Sequence, residues 1–124
     1  MSHPLTNKIR YSDAELAVFD TILDEKIAKA TESLDYYLQQ IQDRADADDN
    51  KLKSLSDASG SVENERLQSM AARQSKLIQH LNHAKSRIKN KVYGICRESG
   101  ELISKERLKA VPHATLSIKA KQKN

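Results

Sequence analysis

The sequence predicts an all-α dominated fold, in which a long antiparallel coiled-coil helical hairpin precedes a compact C-terminal head. Two stretches place apolar residues three or four positions apart, which is the spacing of one helix face. The second stretch contains neither Pro nor Gly between residues 61 and 93. Only 38% of the 124 residues are hydrophobic, and the aromatic residues are four Tyr and one Phe. A large globular core is therefore excluded, and an elongated molecule is expected.

The first helix is predicted to begin at Ser12, because Ser12 and Glu15 form a capping box in which each side chain satisfies a backbone N–H. Its apolar stripe comprises Leu16, Phe19, Leu23, Ile27, Ala30, Leu34, Tyr37 and Ile41. The second stripe comprises Leu67, Met70, Leu77, Leu81, Ala84, Ile88 and Val92, interrupted by Gln74. Two such helices, each about 45 Å long at 1.5 Å per residue, most economically pair as a hairpin.

Residues 42–60 are predicted to form the tip of the hairpin. They hold five aspartates, Asp43, Asp46, Asp48, Asp49 and Asp57, and end at Gly60. Two interpretations remain open: a solvated turn kept soluble by its charge, or an acidic probe presented to a target inside another molecule.

The head is predicted from the change of pattern after Val92. Tyr93-Gly94 and Ser99-Gly100 indicate turns, and residues 101–103 indicate a short extended piece. Thr115 is a candidate cap for a last helix over residues 116–122, which would bring Leu116 and Ile118 onto an apolar cluster. That cluster is expected to hold Ile95, Leu102, Ile103, Leu108 and Val111.

Charge is distributed unevenly along the chain. Residues 1–60 carry 7 basic and 12 acidic side chains, whereas residues 61–124 carry 14 basic and 5 acidic ones. The basic half could bind nucleic acid or an acidic protein surface. No apolar run is long enough to span a bilayer, and residues 1–10 lack the apolar centre of a signal peptide, so a cytoplasmic protein without membrane contact is expected. The single Cys96 excludes an internal disulfide.

The head resembles the finger of the DksA/TraR family of bacterial transcription regulators. That finger carries two Cys-x-x-Cys pairs separated by seventeen residues, and the same spacing here falls on Cys96, Ser99, Ser117 and Ala120. Since only Cys96 can supply a thiolate, we expect a zinc-finger-like α+β head that lacks metal, and no cofactor. His113 lies off the ligand spacing and is interpreted as structural. Cys96 is interpreted as a buried packing residue, with a redox sensor as the alternative.

The resemblance implies a non-enzymatic protein that binds core RNA polymerase rather than specific DNA. In this family the hairpin enters the secondary channel, and a tip motif Asp-x-x-Asp-x-Ala approaches the catalytic magnesium. Two registers compete for that motif. The later one, around Asp57, preserves the length of the second arm and is preferred, and Asp46 and Asp43 of the earlier one are the alternates. The sequence favours modulation of the polymerase over catalysis.

Three basic residues match the family's pattern as polymerase or guanosine tetraphosphate contacts: Arg73 on the second arm, Arg107 in the head and Lys121 in the last helix. Where the family tends to carry basic residues, this chain has His80 and Val111. The resemblance thus implies RNA polymerase as the partner, with guanosine tetraphosphate as a further candidate.

The predicted organisation is an N-terminal segment (1–11), a coiled-coil hairpin (12–92) with the acidic tip loop 42–60, and the head (93–124). Two other functions compete with the polymerase regulator: a coiled-coil adapter without polymerase contact, and a direct nucleic-acid binder acting through the basic half. An enzyme is disfavoured, because the sequence offers no nucleophile and base constellation, no phosphate-binding glycine loop and no metal cluster.

Overall fold

The structure, a computed structural model, describes residues 9–50 and 58–123. Four helices lie in this part of the chain: α1 (Asp13–Asn50), α2 (Ala58–Lys89), α3 (Lys105–Ala110) and α4 (Ile118–Lys123). The prediction of a helix-dominated fold with a long helical hairpin and a small head is confirmed. None of the described helices is long and apolar enough to cross a membrane.

The chain divides into two compact units. The first combines Met1–Ile27 with His80–Asn124, and the second is Ala28–Gln79. Each unit therefore contains a part of α1 and a part of α2, and the first also contains the head.

The start of α1 follows the predicted capping box. The N–H of Glu15 donates to Oγ of Ser12 at 3.1 Å, and the N–H of Ser12 donates to Oε1 of Glu15 at 2.9 Å. The other carboxylate oxygen of Glu15 pairs with Nζ of Lys105 at 2.7 Å. The residue that caps α1 thereby also holds α3 in place.

In the first unit the two long helices run antiparallel. Lys91, which follows α2, pairs with Asp13 at 3.0 Å, and Lys85 pairs with Asp20 at 3.0 Å. The buried apolar positions of this part are those of the predicted stripes: Leu16, Phe19, Leu23, Leu81 and Ala84. Burial of these side chains, rather than the exposed ion pairs, stabilises the pairing.

The second unit has a smaller core, because only Ala30, Leu67 and Ala71 are buried there among its described residues. The remaining stripe residues of this unit are half-buried: Leu34, Tyr37, Ile41, Met70 and Leu77. Nε of Arg44 donates to Oδ1 of Asn64 at 2.7 Å and so joins α1 to α2.

The prediction of a loop over residues 42–60 is wrong at both ends. Helix α1 continues to Asn50, and α2 begins at Ala58. The helix continues because no Gly or Pro interrupts residues 42–50 and because side-chain hydrogen bonds four residues apart stabilise its last turns. In these bonds Gln39 donates to Asp43 at 2.9 Å and Gln42 donates to Asp46 at 3.1 Å.

Helix α2 ends three residues before the predicted Val92. Lys91 adopts a φ of 65°, and the N–H of Val92 donates to the carbonyl of Arg87 at 2.9 Å, which closes the helix end. Val92 is consequently 46% exposed and does not belong to the buried stripe.

Two tyrosines that were not expected in the core anchor the head. The hydroxyl of Tyr11 donates to the carbonyl of Ile103, and the hydroxyl of Tyr93 donates to the carbonyl of Pro112 at 2.8 Å. Phe19 of α1 packs between their rings, with centroid distances of 5.7 and 5.3 Å. Gly94 is required beside them: its φ is +78°, and a Cβ there would lie 2.7 Å from the ring of Tyr11.

The extended piece of the head is a single antiparallel bridge between Ile95 and Leu102. Helix α4 begins at Ile118, and Oγ of Ser117 rather than Thr115 accepts a backbone N–H in its first turn. The head buries Ile103 and Leu108 as predicted. Ile118, by contrast, is 52% exposed and does not join the apolar cluster.

Candidate functional site

Three of the four finger positions come together around one sulfur atom, that of Cys96. Sγ of Cys96 accepts the backbone N–H of Ser99 at 3.5 Å and that of Ser117 at 3.4 Å. The first donor belongs to the same turn as Cys96, and the second lies 21 residues further along the chain. The sulfur therefore joins the two halves of the finger, as a metal ion would in a thiolate site.

The other three finger positions do not fit zinc. Oγ of Ser99 accepts the N–H of Glu101 at 3.3 Å, and Oγ of Ser117 accepts the N–H of Ala120 at 3.1 Å. Both hydroxyls thus bond the local backbone, and the buried methyl group of Ala120 offers no electron pair. Within residues 9–50 and 58–123, no group of three or more His, Cys, Asp or Glu side chains could hold a metal ion. A tetrahedral zinc site needs four such ligands.

Backbone hydrogen bonds close the finger instead. The backbone N–H of Cys96 donates to the carbonyl of Glu101 at 2.7 Å, and that of Ile103 donates to the carbonyl of Gly94 at 2.7 Å. The backbone N–H of Arg97 donates to the carbonyl of Thr115 at 2.8 Å. The last bond ties the segment after α2 to the segment before α4. Hydrogen bonds and apolar burial thus connect the two halves of the finger.

The thiol of Cys96 is buried, in agreement with its interpretation as a packing residue. Hydrogen bonds from the Ser99 side chain and from the backbone of Ser117 and Ser99 lower the pKa of the Cys96 thiol to about 6. A thiolate is favoured here because its neighbours donate to it, not because a cation lies beside it.

A cationic cavity of about 530 Å³ lies in the first unit, between the end of α2 and the head. Four permanently charged side chains reach it from separate elements of the unit: Arg87 of α2, Arg97 of the following turn, Arg107 of α3 and Lys121 of α4. Three imidazoles complete its polar lining: His80, His83 and His113. None of the described residues that line the cavity is acidic. The arrangement suits an anion of more than one charge.

Backbone carbonyls position two of the guanidinium groups. Nε of Arg107 donates to the carbonyl of Leu116 at 3.0 Å, and Nη2 of Arg87 donates to that of His113 at 3.4 Å. These bonds orient the arginines without neutralising them. Burial lowers the pKa of Arg87, and the charge of Arg97 acts in the same direction.

His113 is the least satisfied polar group of the cavity. Its Nδ1 is buried and has no hydrogen-bond partner among the described residues. Its ring lies 5.7 Å from the ring of His80. Burial lowers the pKa of His113, and the charges of His80, Arg87 and Arg107 lower it further. These effects favour the neutral form of the His113 imidazole.

The structure brings together some of the residues that the sequence singled out. Arg107 and Lys121 share the cavity, and so do His80 and Val111, the two positions at which the resemblance leads one to expect basic residues. Sequence reasoning missed Arg87, Arg97 and His83, because their common location depends on how separate elements fold together.

The other predicted site residues lie elsewhere. Arg73 belongs to the second unit and is exposed on α2. Asp43 and Asp46 are exposed on the last turns of α1, in the same unit. Asp57, the preferred tip residue, lies outside the described residues.

Comparisons with known proteins agree with this architecture. A model of the prokaryotic dksA/traR C4-type zinc finger matches residues 91–124. The RNA polymerase-binding transcription factor DksA of Caulobacter vibrioides is 42% identical over 52 residues, which cover 42% of this chain and 37% of that protein. General stress protein 16O of Bacillus subtilis is 39% identical over 44 residues, which cover 36% of this chain and 27% of that protein. The matches thus span little more than a third of the first relative and about a quarter of the second.

A solved structure extends the likeness to most of the fold. Transcription factor DksA2 from Pseudomonas aeruginosa superposes with a TM-score of 0.78 and 25% identity, covering 89% of this chain and 82% of that one. A helical hairpin joined to a head with the spacing of a zinc finger is the architecture of this class of protein, to which the solved transcription factor also belongs. Within this class, the chain is similar to the DksA/TraR family in the sequence of its finger and in its fold.

Proposed function

We propose that the chain is a non-enzymatic regulator of bacterial transcription that binds core RNA polymerase. The observation that carries this proposal is the likeness, across both hairpin and head, to a solved transcription factor. The name of the Caulobacter relative, an RNA polymerase-binding transcription factor, gives the partner. We place the protein in the bacterial cytoplasm, where that polymerase acts.

The finer mechanism rests on the resemblance alone. In it, the hairpin enters the secondary channel of the polymerase, and a tip carboxylate from Asp57, or from Asp46 or Asp43, acts near the active site. The exposure of Asp43 and Asp46 at the end of α1 supports this role, because their carboxylates are accessible to a partner. Arg73, Arg107 and Lys121 are the proposed contacts to the polymerase or to guanosine tetraphosphate.

Retention on immobilised core RNA polymerase tests the partner. The wild-type chain is expected to be retained, and Arg107→Ala to be retained more weakly. The matched control is Lys109→Ala, because Lys109 lies on the same helix, is exposed and does not line the cavity. If the wild-type chain is not retained, the coiled-coil adapter becomes the better proposal. If it instead shifts duplex DNA in a salt-sensitive way, the nucleic-acid binder does.

The proposal includes a second ligand, guanosine tetraphosphate bound together with the polymerase. The cationic cavity supports it, because multiply charged phosphates require several cations without competing carboxylates. Transcription assays with and without this nucleotide test it. Lys121→Ala is expected to remove the nucleotide's effect and to leave the effect of the protein alone.

A further inference from the structure

Helix α3 carries Arg107 but has little burial of its own to fix its position. Of its six residues, all of which the structure describes, Leu108 alone is buried. A helix this short is not stable by itself, so contacts with the rest of the first unit are needed to hold it. The position of the Arg107 side chain therefore depends on what holds the two ends of α3.

Two contacts from the start of α1 hold the N-terminal end of α3. The hydroxyl of Tyr11 donates to the carbonyl of Ile103, the residue before the N-cap Ser104. Oε2 of Glu15 pairs with Nζ of Lys105, the first residue of α3, at 2.7 Å. Burial raises the pKa of Tyr11, and the charges of Lys105 and Glu15 act on that pKa in opposite directions. The three side chains therefore form one cluster.

The carboxylate of Glu15 connects the two helices through its two oxygens. Oε1 accepts the N–H of Ser12 and so caps α1, while Oε2 pairs with Lys105. The Glu15 side chain is 19% exposed, against 68% for Asp13, the other acidic residue of the same turn. Because the helix that it caps holds Glu15 in one orientation, Glu15 is a fixed anchor for the start of α3.

The C-terminal part of α3 is held through Arg107 itself. Nε of Arg107 donates to the carbonyl of Leu116 at 3.0 Å, and the carbonyl of Arg107 accepts the N–H of Val111 at 2.7 Å. Arg107 lies only two residues after Lys105, so a shift of the helix start would move the guanidinium relative to Leu116.

We propose that Glu15 is a positioning residue for Arg107: by holding Lys105, it fixes α3 so that the Arg107 guanidinium is presented to core RNA polymerase in one orientation. This rests on the proposed function, in which Arg107 contacts the polymerase. Loss of the Glu15 charge then weakens polymerase binding, although it makes the surface more basic. If Lys105 contacted the polymerase directly, its release from Glu15 would instead leave binding unchanged or strengthen it.

Glu15→Gln tests the proposal, because the amide oxygen of glutamine can still accept the N–H of Ser12 while the charge that pairs with Lys105 is removed. The matched control is Asp13→Asn, which removes the partner of Lys91 from the same turn of α1. Both variants should melt within a few degrees of the wild type, since partly exposed ion pairs contribute little to stability. The full chains are compared by competition binding to core RNA polymerase.

Glu15→Gln is expected to bind the polymerase about three- to fivefold more weakly than the wild type, the size of effect that one partly exposed ion pair accounts for. Asp13→Asn should bind within about twofold of the wild type. Adding Glu15→Gln to Arg107→Ala should cause no further loss, because no guanidinium is left to position. Unchanged or tighter binding by Glu15→Gln overturns the proposal. The same loss in both backgrounds also overturns it, since Glu15 would then act independently of Arg107.

A second measurement does not need the polymerase. In the full chain, NMR follows the exchange of the Arg107 Nε–H with water, which the hydrogen bond to Leu116 slows. Glu15→Gln is expected to raise this exchange rate at least about threefold, and Asp13→Asn to leave it unchanged. An unchanged rate in Glu15→Gln overturns the proposal whatever the binding result. If the wild-type chain is not retained on the polymerase, the proposed function fails, and the exchange rate alone decides whether Glu15 positions Arg107.

Discussion

The backbone N–H of Ser117 donates to Sγ of Cys96 at 3.4 Å and so joins two segments separated by 21 residues. The finger therefore keeps its fold with one thiol in place of four zinc ligands. The hydroxyl groups of Ser99 and Ser117 each accept a backbone N–H of their own turn, so each half of the finger also has local hydrogen bonds.

The first prediction concerns zinc. Because Ser99, Ser117 and Ala120 cannot complete a tetrahedral thiolate site, the purified protein is expected to contain no stoichiometric zinc. A chelator should leave the midpoint of thermal unfolding unchanged, since no folding free energy comes from metal binding. Elemental analysis and thermal melts with and without chelator measure this. About one tightly bound zinc per chain would contradict it.

A second prediction concerns the sulfur. Cys96→Ala removes the buried sulfur atom that accepts two part-buried backbone N–H groups. The variant is expected to melt several degrees below the wild type, followed by circular dichroism. Lys109→Ala is the control: it truncates an exposed side chain of the head on α3 and should melt close to the wild type. Equal melting of both variants would show that the sulfur does not hold the finger together.

The helical part of the fold was predictable because its signals are local. Ser12 and Glu15 lie three residues apart, and the stripe residues Leu16, Phe19 and Leu23 repeat at helical spacing. The finger spacing was equally visible, since it required only counting from Cys96 to Ala120. Aspartate-rich composition was misleading at residues 42–50, where hydrogen bonds between side chains four apart support a helix.

The cavity and the anchoring tyrosines were not predictable by the same reasoning. Tyr11 precedes the first helix and has no periodic neighbours, and its hydrogen-bond acceptor lies 92 residues away. Arg87 and Arg97 resemble ordinary surface charges until the fold places them beside Arg107. Contacts between distant segments leave no pattern in a single sequence.

The third prediction concerns the core of the first unit. Leu23 and Leu81 are 0% and 1% exposed, so truncation leaves a cavity that the packed helices cannot fill. Leu23→Ala and Leu81→Ala are each expected to lower the free energy of unfolding by about 2–4 kcal/mol, measured by urea denaturation. Val18→Ala, at a position 58% exposed on α1, should change it by less than about 0.5 kcal/mol. A loss as small as that for Leu81→Ala would mean that the stripes are not paired as described.

The fourth prediction is a pH dependence of stability. The pKa of His113 is lower in the folded protein than its ordinary value near 6.5, because burial and nearby positive charges oppose protonation. Below that value the unfolded chain binds more protons than the folded one, so the free energy of unfolding falls as the pH falls from 7 toward 5. The free energy of unfolding by urea at several pH values in this window measures the effect. In His113→Gln the decline should be shallower; an identical decline would assign the pH dependence to other groups.

The last prediction separates binding from action at the tip. A single exposed carboxylate adds little to a large interface, so Asp57→Asn is expected to keep the affinity for core RNA polymerase within a few-fold. If that carboxylate acts near the active site, the same variant should lose the effect of the protein on transcription in vitro. Competition binding and run-off transcription, measured on the same preparation, test the two expectations together.

Asp46→Asn and Asp43→Asn decide the register of the tip. Both residues are exposed at the end of α1, and each accepts one hydrogen bond from a glutamine four residues earlier. An asparagine still offers a carbonyl oxygen to that glutamine, so the helix should persist in each variant. If Asp57→Asn retains full activity while Asp46→Asn loses it, the earlier register is correct and the channel mechanism stands. If none of the three substitutions changes transcription, these aspartates serve only as solvated surface charges, and the action of a tip carboxylate is refuted even where polymerase binding is retained.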